Sequence, residues 1–168
     1  IDITDYRYDE DSHQLFMKRT LGSTEYELPF SDESDGTKKL IAALPVILLA
    51  LREGRMVIID ELDAKLHPLL LRKIIELFTD REINSGTAQL LFTSHDLTTM
   101  SNDVLRRDEI WFSAINGYDE SVLYSLVDFR KEGGNKPRND ENYSKQYMEG
   151  RYGADPYFKK LIDWEVSD

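Results

Sequence analysis

Cysteine is absent from this chain of 168 residues. The absence excludes a disulfide framework, a cysteine zinc site and a cysteine nucleophile, so any chemistry rests on carboxylates, hydroxyls and three histidines. The longest apolar run, 40–51, is interrupted by Pro45 and falls short of the roughly 20 residues that cross a bilayer. The N-terminus also lacks a basic segment followed by an apolar stretch, as a secretion signal would have. We therefore expect a cytoplasmic protein with no membrane partner.

Basic residues are outnumbered, with 21 Lys and Arg against 32 Asp and Glu, and the formal net charge is −11. Such a charge opposes non-specific binding of nucleic acid by this chain, because that binding relies on Lys and Arg neutralising phosphates. The length fits one main domain. There is no initiator methionine, and the chain opens within a pattern, which suggests a piece of a longer protein.

Hydrophobic patterning predicts an α/β chain. Two extended stretches around 6–8 and 15–18 flank a polar turn, as in an antiparallel hairpin. The segment 37–51 predicts a helix that is apolar on nearly all sides and is therefore expected to be buried. The continuous apolar run 56–59 predicts a strand of a parallel sheet that is covered on both faces.

A helix over 68–78 and a strand over 89–93 complete a β-α-β unit, which implies a right-handed parallel crossover. Strands at 109–112 and 122–126 flank Asn116-Gly117, a strong hairpin signal. The predicted fold is a mostly parallel sheet with antiparallel edge strands, flanked by helices.

The predicted organisation is a lobe over 1–130, followed by a loop and tail over 131–168. The tail is rich in aromatic residues, which indicates that it docks rather than stays disordered. These residues are Tyr143, Tyr147, Tyr152, Tyr157, Phe158 and Trp164.

Two consecutive predicted parallel strands end in the polar clusters DELD and TSHD. Ligands bind at the carboxyl ends of strands in open α/β sheets, so both clusters are expected to face one site. An apolar strand followed by Asp-Glu is the Walker B pattern, in which Asp60 holds Mg²⁺ and Glu61 orients or deprotonates the attacking water. An acidic pair that caps the next helix is the alternative for this pattern alone.

His95 directly follows the second strand, where it can hydrogen-bond a γ-phosphate oxygen or the attacking water. A structural histidine is the alternative.

The long apolar helix begins with Ser34, Gly36 and Thr37. A helix N-terminus with a serine hydroxyl and a glycine suits a phosphate, since unpaired N–H groups and a partial positive charge meet there. A simple Ser N-cap is the alternative.

Three motifs resemble, in their order and spacing, the C-terminal half of ABC-type ATPases of the SMC-like and OLD-like branch. They are S-x-G at a helix start, IIDELDAKLHP and TSHD. The resemblance implies the C-terminal lobe of a P-loop NTPase-like fold, with ATP and Mg²⁺ as cofactors. It places Ser34, Gly36 and Thr37 in the signature, Asp63 in the D-loop that touches a partner subunit, and His95 as the switch histidine. More narrowly, the chain resembles bacterial ATPases of abortive-infection and anti-phage defence systems. The segments that carry this resemblance are ESDGTKKL, RRDEIWF and, near the end of the sequence, GRYGADP.

That resemblance implies a homodimer that closes on ATP and controls a nuclease or toxin effector. Three departures stand against the family pattern. Asp35 replaces a second glycine, and His67 replaces the usual D-loop aspartate and receives no catalytic role. No G-x-x-x-x-G-K-[ST] occurs anywhere in the chain, so the loop that cradles the β- and γ-phosphates is expected from a missing N-terminal lobe. The chain alone is then expected to be inactive.

Two other functions remain open from the sequence. A magnesium-dependent nuclease of the TOPRIM kind would use Asp60, Glu61, Asp63 and Asp96 as ligands, but it leaves the S-x-G helix unexplained. A non-catalytic module that only binds a partner protein is the other alternative, and the missing phosphate loop favours it for the isolated chain.

Overall fold

The computed structural model describes residues 3–116, 118–130, 137–138 and 141–154. The chain forms two compact units, Ile1–His95 and Asp96–Asp168. The predicted division into a lobe over 1–130 and a tail over 131–168 stays a prediction.

The first unit opens with an antiparallel sheet of three strands in the order β1-β2-β3. They are β1 (Ile3–Asp9), β2 (Gln14–Leu21) and β3 (Thr24–Pro29). The hairpin predicted from the first two stretches is confirmed, with Tyr6 opposite Met17. The third strand was not predicted. It follows a tight turn at Gly22, whose φ of 63° is a backbone conformation that glycine adopts without steric cost.

Helix α1 (Asp35–Glu53) begins two residues before the predicted start, because the Ser34 side chain caps it by accepting a hydrogen bond from the Thr37 N–H. It continues through Pro45, which has no N–H to donate to the preceding turn. The helix ends at Gly54 in the left-handed conformation, whose N–H bonds the Ala50 carbonyl.

The predicted burial of α1 on all sides is wrong for this chain. Ile47 is fully buried, whereas Val46, Leu48 and Leu49 are 53%, 56% and 41% exposed. A helix that meets its own unit along one stripe leaves the remaining apolar positions in solvent. The helix is apolar on these sides as predicted, but no other described residue covers them.

A β-α-β unit follows, formed by β4 (Met56–Ile59), α2 (Pro68–Thr79) and β5 (Gln89–Phe92). Strands β4 and β5 pair in parallel, from Met56 opposite Gln89 to Ile59 opposite Phe92. The predicted parallel pairing is therefore confirmed. The right-handed sense of the crossover stays a prediction.

The expectation that this parallel pair is covered on both faces is wrong for this chain. Val57 is 6% exposed on one face, whereas Met56, Ile58 and Leu91 are 56%, 70% and 53% exposed. Successive side chains of a strand point to opposite faces, so these three share the open face.

The second unit contains the hairpin of β6 (Trp111–Ile115) and β7 (Ser121–Ser125), and helix α3 (Tyr143–Met148). The predicted antiparallel pairing is confirmed, with Phe112 opposite Tyr124. The core of this unit consists of Ile110, Phe112, Leu126, Tyr143, Tyr152 and Ala154. The Phe112 ring stacks at 5.7 Å from Tyr147 and at 5.2 Å from Tyr152, measured between centroids. Three tyrosines of the predicted tail thus pack on this hairpin, whereas Tyr157, Phe158 and Trp164 lie outside the described residues.

The described strands form three separate sheets, one parallel and two antiparallel. A single mostly parallel sheet with antiparallel edges is not seen among these strands. None of the helices in the described part of the chain is long and apolar enough to cross a membrane.

Candidate functional site

The DELD and TSHD clusters lie side by side in the first unit because of the register of β4 and β5. Ile59 pairs with Phe92, so the next residues, Asp60 and Thr93, leave the sheet together. The Thr93 hydroxyl donates to Oδ1 of Asp60 at 2.5 Å. The two clusters therefore meet at the carboxyl end of the parallel pair, as the sequence predicts.

Glu61 has a left-handed backbone with a φ of 48°, which is uncommon for a residue with a β-carbon. Its carboxylate is 61% exposed and lies 4.0 Å from Nε2 of His95, whose side chain is 87% exposed. A pair this exposed contributes little to stability. Both side chains are instead accessible to a ligand, and they stand close enough to act on one molecule.

Asp63 holds the segment that carries His95. Its Oδ2 accepts a hydrogen bond from the His95 backbone N–H at 3.2 Å. Its Oδ1 is buried and has no hydrogen-bond partner among the described residues. Buried carboxylate oxygens are normally paired, so this atom suits a donor from a ligand or another subunit.

Ser34 and Thr37 form the N-terminal cap of α1. Ser34 Oγ accepts from the Thr37 N–H at 3.1 Å and lies 2.9 Å from Thr37 Oγ1. The N-cap role considered for Ser34 is therefore present. When Thr37 donates the hydroxyl–hydroxyl bond, the Ser34 proton is left for another acceptor, so capping and phosphate binding are compatible at this residue.

A buried ion pair fixes the residue before this cap. The Glu33 side chain is 3% exposed, and its two oxygens accept from Nε and Nη2 of Arg19 at 3.1 Å and 2.5 Å. Two parallel N–H···O bonds give such a pair a defined orientation. Arg19 on β2 thereby sets the position at which α1 begins.

The start of α1 also packs against the segment after β4. A β-carbon on Gly36 would lie 2.5 Å from the Lys65 carbonyl oxygen, so a larger residue has no room there. Asp35, one of the departures from the family pattern, turns to Lys65, whose Nζ donates to its Oδ2 at 2.8 Å. This hydrogen bond and the Lys65 charge lower the pKa of the Asp35 carboxyl.

Two side chains that contact the site, those of Thr93 and Lys39, were not predicted from the sequence. Thr93 bonds Asp60 and Glu61, and Lys39 Nζ donates to the Glu61 carbonyl at 2.5 Å. His67 is the N-cap of α2, because its Nδ1 accepts from the Leu69 N–H at 3.2 Å. Thr93 stands in the TSHD motif directly after a strand, and that position was the available signal.

The Asp60 carboxylate fits a metal ion whose other ligands are waters and phosphate oxygens. Mg²⁺ is commonly held by one or two carboxylates, with phosphate oxygens and waters completing the shell. Oδ1 of Asp60 is held by Thr93, and Oδ2 receives no hydrogen bond within the described part of the chain. No group of three or more His, Cys, Asp or Glu among the described residues is arranged to hold a metal ion. The nuclease alternative with four carboxylate ligands thus receives no support.

Comparison with known families adds an independent observation. A family model described as "AAA domain, putative AbiEii toxin, Type IV TA system" matches residues 3–101, more than half of the chain. The matched range runs from β1 past His95 and includes every candidate site residue. No curated protein matches the chain.

Proposed function

This chain belongs to that abortive-infection-related family of AAA-domain proteins, which have a P-loop NTPase-like α/β fold, and we propose that it is the C-terminal lobe of an ABC-type ATPase. The observation that carries the proposal is the meeting of Asp60 and Glu61 with Asp63 and His95 at the carboxyl end of β4 and β5. The start of α1 adjoins the same segment through Gly36 and Lys65.

Each residue has a role that follows from its chemistry. Asp60 is the exposed carboxylate that would hold Mg²⁺, which when bound neutralises charge on the phosphates. Glu61 orients or deprotonates the attacking water, and His95 hydrogen-bonds that water or a γ-phosphate oxygen. Asp63 lies in the D-loop. Ser34, Gly36 and Thr37 offer the hydroxyl and N–H groups of a helix N-terminus to the nucleotide.

The complete site needs a phosphate-binding loop that this chain lacks, and we assign that loop to an N-terminal lobe. The exposed apolar face of Met56, Ile58 and Leu91 supports a further layer, because parallel sheets are nearly always covered on both faces. In the complete protein, β4 and β5 would then belong to a larger, mostly parallel sheet. The isolated chain should show no ATP turnover, and clear steady-state hydrolysis by the pure chain would contradict this assignment.

The start of α1 is proposed to act on nucleotide that another subunit holds, so that ATP closes a homodimer and hydrolysis releases it. The closed dimer would control a nuclease or toxin effector in phage defence. A non-catalytic interaction module is the competing function, and it predicts that the complete protein does not hydrolyse ATP.

A mixing experiment tests the shared site. One complete protein carries Ser34→Arg, and a second carries a replaced phosphate-loop lysine, so each homodimer has two defective sites. In a heterodimer one site carries both lesions and the other carries neither, so each heterodimer formed on mixing should have about half of the activity of a normal dimer. If subunit exchange is confirmed but activity is not restored, the result would contradict a site that is shared between subunits and whose two copies in the dimer hydrolyse ATP independently. A matched mixture of Ser34→Arg with unaltered protein fixes the scale.

A further inference from the structure

Thr93 contacts four consecutive residues of the segment that carries the candidate catalytic carboxylate. Its N–H donates to the Ile59 carbonyl at 3.2 Å, and its carbonyl accepts from the Leu62 N–H at 3.0 Å. Its hydroxyl donates to Oδ1 of Asp60 at 2.5 Å and accepts from the Glu61 N–H at 2.7 Å. The backbone bonds are available to any residue except proline, whereas the two hydroxyl bonds require Thr or Ser.

The hydroxyl does two things at once, because it has one proton to give and two lone pairs to accept with. Giving the proton to Asp60 fixes the direction of that carboxylate. Accepting the hydrogen bond from the Glu61 N–H fixes the orientation of the peptide group that precedes Glu61. One oxygen atom therefore links the residue proposed to hold the metal with the residue proposed to position water.

The backbone of Glu61 needs such support. Its φ of 48° lies in the left-handed region, where a β-carbon crowds the following carbonyl. Lys39 Nζ holds the Glu61 carbonyl at 2.5 Å, on the other side of the same residue. With its N–H on Thr93 and its carbonyl on Lys39, Glu61 is held at both ends, and this sets the direction in which its exposed side chain leaves the backbone.

We propose that Thr93 is a positioning residue for hydrolysis, whose hydroxyl orients Asp60 and Glu61 together. The proposal rests on the proposed ATPase function. It assigns Thr93 no contact with nucleotide, and the effect passes through the two carboxylate residues. Loss of the hydroxyl is therefore expected to slow the chemical step and to leave nucleotide affinity nearly unchanged.

The test compares Thr93→Val, which keeps the shape and loses the hydroxyl, with Thr93→Ser, which keeps the hydroxyl, in the complete protein. Outer partners of metal and catalytic groups typically contribute about 10- to 100-fold. We expect kcat for ATP to fall by about that factor in Thr93→Val, with KM and ATP affinity little changed. Thr93→Ser should restore most of the rate. A valine variant with normal kcat, or a serine variant as slow as the valine one, would overturn the proposal.

A double-mutant cycle separates positioning from general structural damage. Because Thr93 is proposed to act through Glu61 as well as Asp60, Thr93→Val should reduce kcat by a smaller factor in a Glu61→Gln background than in the unaltered protein. The same fold loss in both backgrounds would overturn the proposal. Circular dichroism checks folding, and Thr93→Ala replaces the valine variant if that one unfolds. If both the valine and the alanine variants unfold, the hydroxyl is needed for folding, and that result would also overturn the proposal.

The same measurements distinguish failure of this proposal from failure of the proposed function. If unaltered protein does not hydrolyse ATP, or if Glu61→Gln alone turns over normally, the ATPase assignment is wrong. If Glu61→Gln is slow while Thr93→Val is normal, the ATPase assignment stands and the role of Thr93 is wrong.

Discussion

The carbonyl oxygen of Lys65 lies 2.5 Å from the point that a β-carbon on Gly36 would occupy. The contact joins the first turn of α1 to the segment between β4 and α2 through backbone atoms, which cannot move aside as a flexible side chain can. Gly36 is thus required for close packing, apart from the phosphate contact proposed for it.

Gly36→Ala should therefore destabilise the chain, by about 1 to 3 kcal/mol, as overpacking typically does. Helix propensity alone gives the opposite sign, because Ala is favoured over Gly in a helix by about 1 kcal/mol. The free energy of unfolding in urea decides between the two. Ala42→Gly, at an exposed position of the same helix, calibrates the propensity contribution, and a stabilised Gly36→Ala variant would show that the close contact is wrong.

Arg19→Met should be strongly destabilising, because it leaves the buried Glu33 carboxylate without its partner. Breaking a buried ion pair from one side typically costs about 3 to 5 kcal/mol, and partial exposure of Arg19 favours the lower end. Replacing both residues, as Arg19→Met with Glu33→Met, should recover most of this loss. Chemical unfolding measures both variants, and a single variant as stable as the unaltered chain would contradict the buried pair.

The Asp35–Lys65 pair predicts a pH dependence at acid pH. The hydrogen bond from Lys65 and its charge hold the pKa of Asp35 below its ordinary value of about 3.9. The pair therefore stabilises the fold above that pH, and its contribution is lost as the pH falls through the lowered folded pKa. Asp35→Asn should lower the urea midpoint at pH 7, and the difference from the unaltered chain should shrink as the pH falls below about 4.

Lys65→Met is the matched control for this pair, and it should reproduce the effect at pH 7. The side chains of Lys65 and Asp35 are 64% and 61% exposed, so added salt should also reduce the difference in urea midpoint between variant and unaltered chain. A difference that stays constant from neutral to acid pH would rule out the pair as its source.

Tyr152 predicts a loss of stability at alkaline pH. Burial, followed by the Glu141 charge, raises the pKa of its hydroxyl to about 12. Unfolding lets the hydroxyl ionise near pH 10, so its contribution is complete below about pH 10 and is lost as the pH rises through the folded value. Tyr152→Phe should therefore unfold with a shallower pH dependence between these two values.

The same variant has an expected result at pH 7. The Tyr152 hydroxyl is buried and has no hydrogen-bond partner among the described residues. Removing an unpaired polar group costs little and can stabilise, so Tyr152→Phe should be at least as stable as the unaltered chain. Tyr118→Phe, at a residue that is 87% exposed, is the control. A marked loss at pH 7 in Tyr152→Phe alone would indicate a hydrogen bond at that hydroxyl.

The sequence predicted the elements whose signals are local. Met56–Ile59 is an apolar run bounded by Gly54 and by Asp60, and Pro68 marks the first turn of α2. The third strand was missed because TEYELP is largely exposed in the structure and carries no buried face to reveal it. Burial of α1 was overestimated because composition says which side chains are apolar, not what covers them.

The candidate site was predicted to the extent that strand ends define it. Asp60 and His95 follow from the end of an apolar run. Thr93 was missed because its role depends on the parallel register, which places it beside Asp60 only once Ile59 and Phe92 are paired. The link from Lys39 to the Glu61 carbonyl arises from tertiary packing of α1 and has no local sequence signal.

The most direct test of the ATPase assignment is steady-state ATP hydrolysis by the complete protein, measured with Glu61→Gln beside the unaltered sequence. Glutamine keeps the shape of glutamate and removes the carboxylate that positions water, so the rate should fall by about 10²- to 10⁴-fold. ATP binding should remain nearly intact, and the variant should accumulate as an ATP-bound dimer. A Glu61→Gln protein that hydrolyses ATP at the normal rate would contradict the assignment of Glu61 and with it the proposed site.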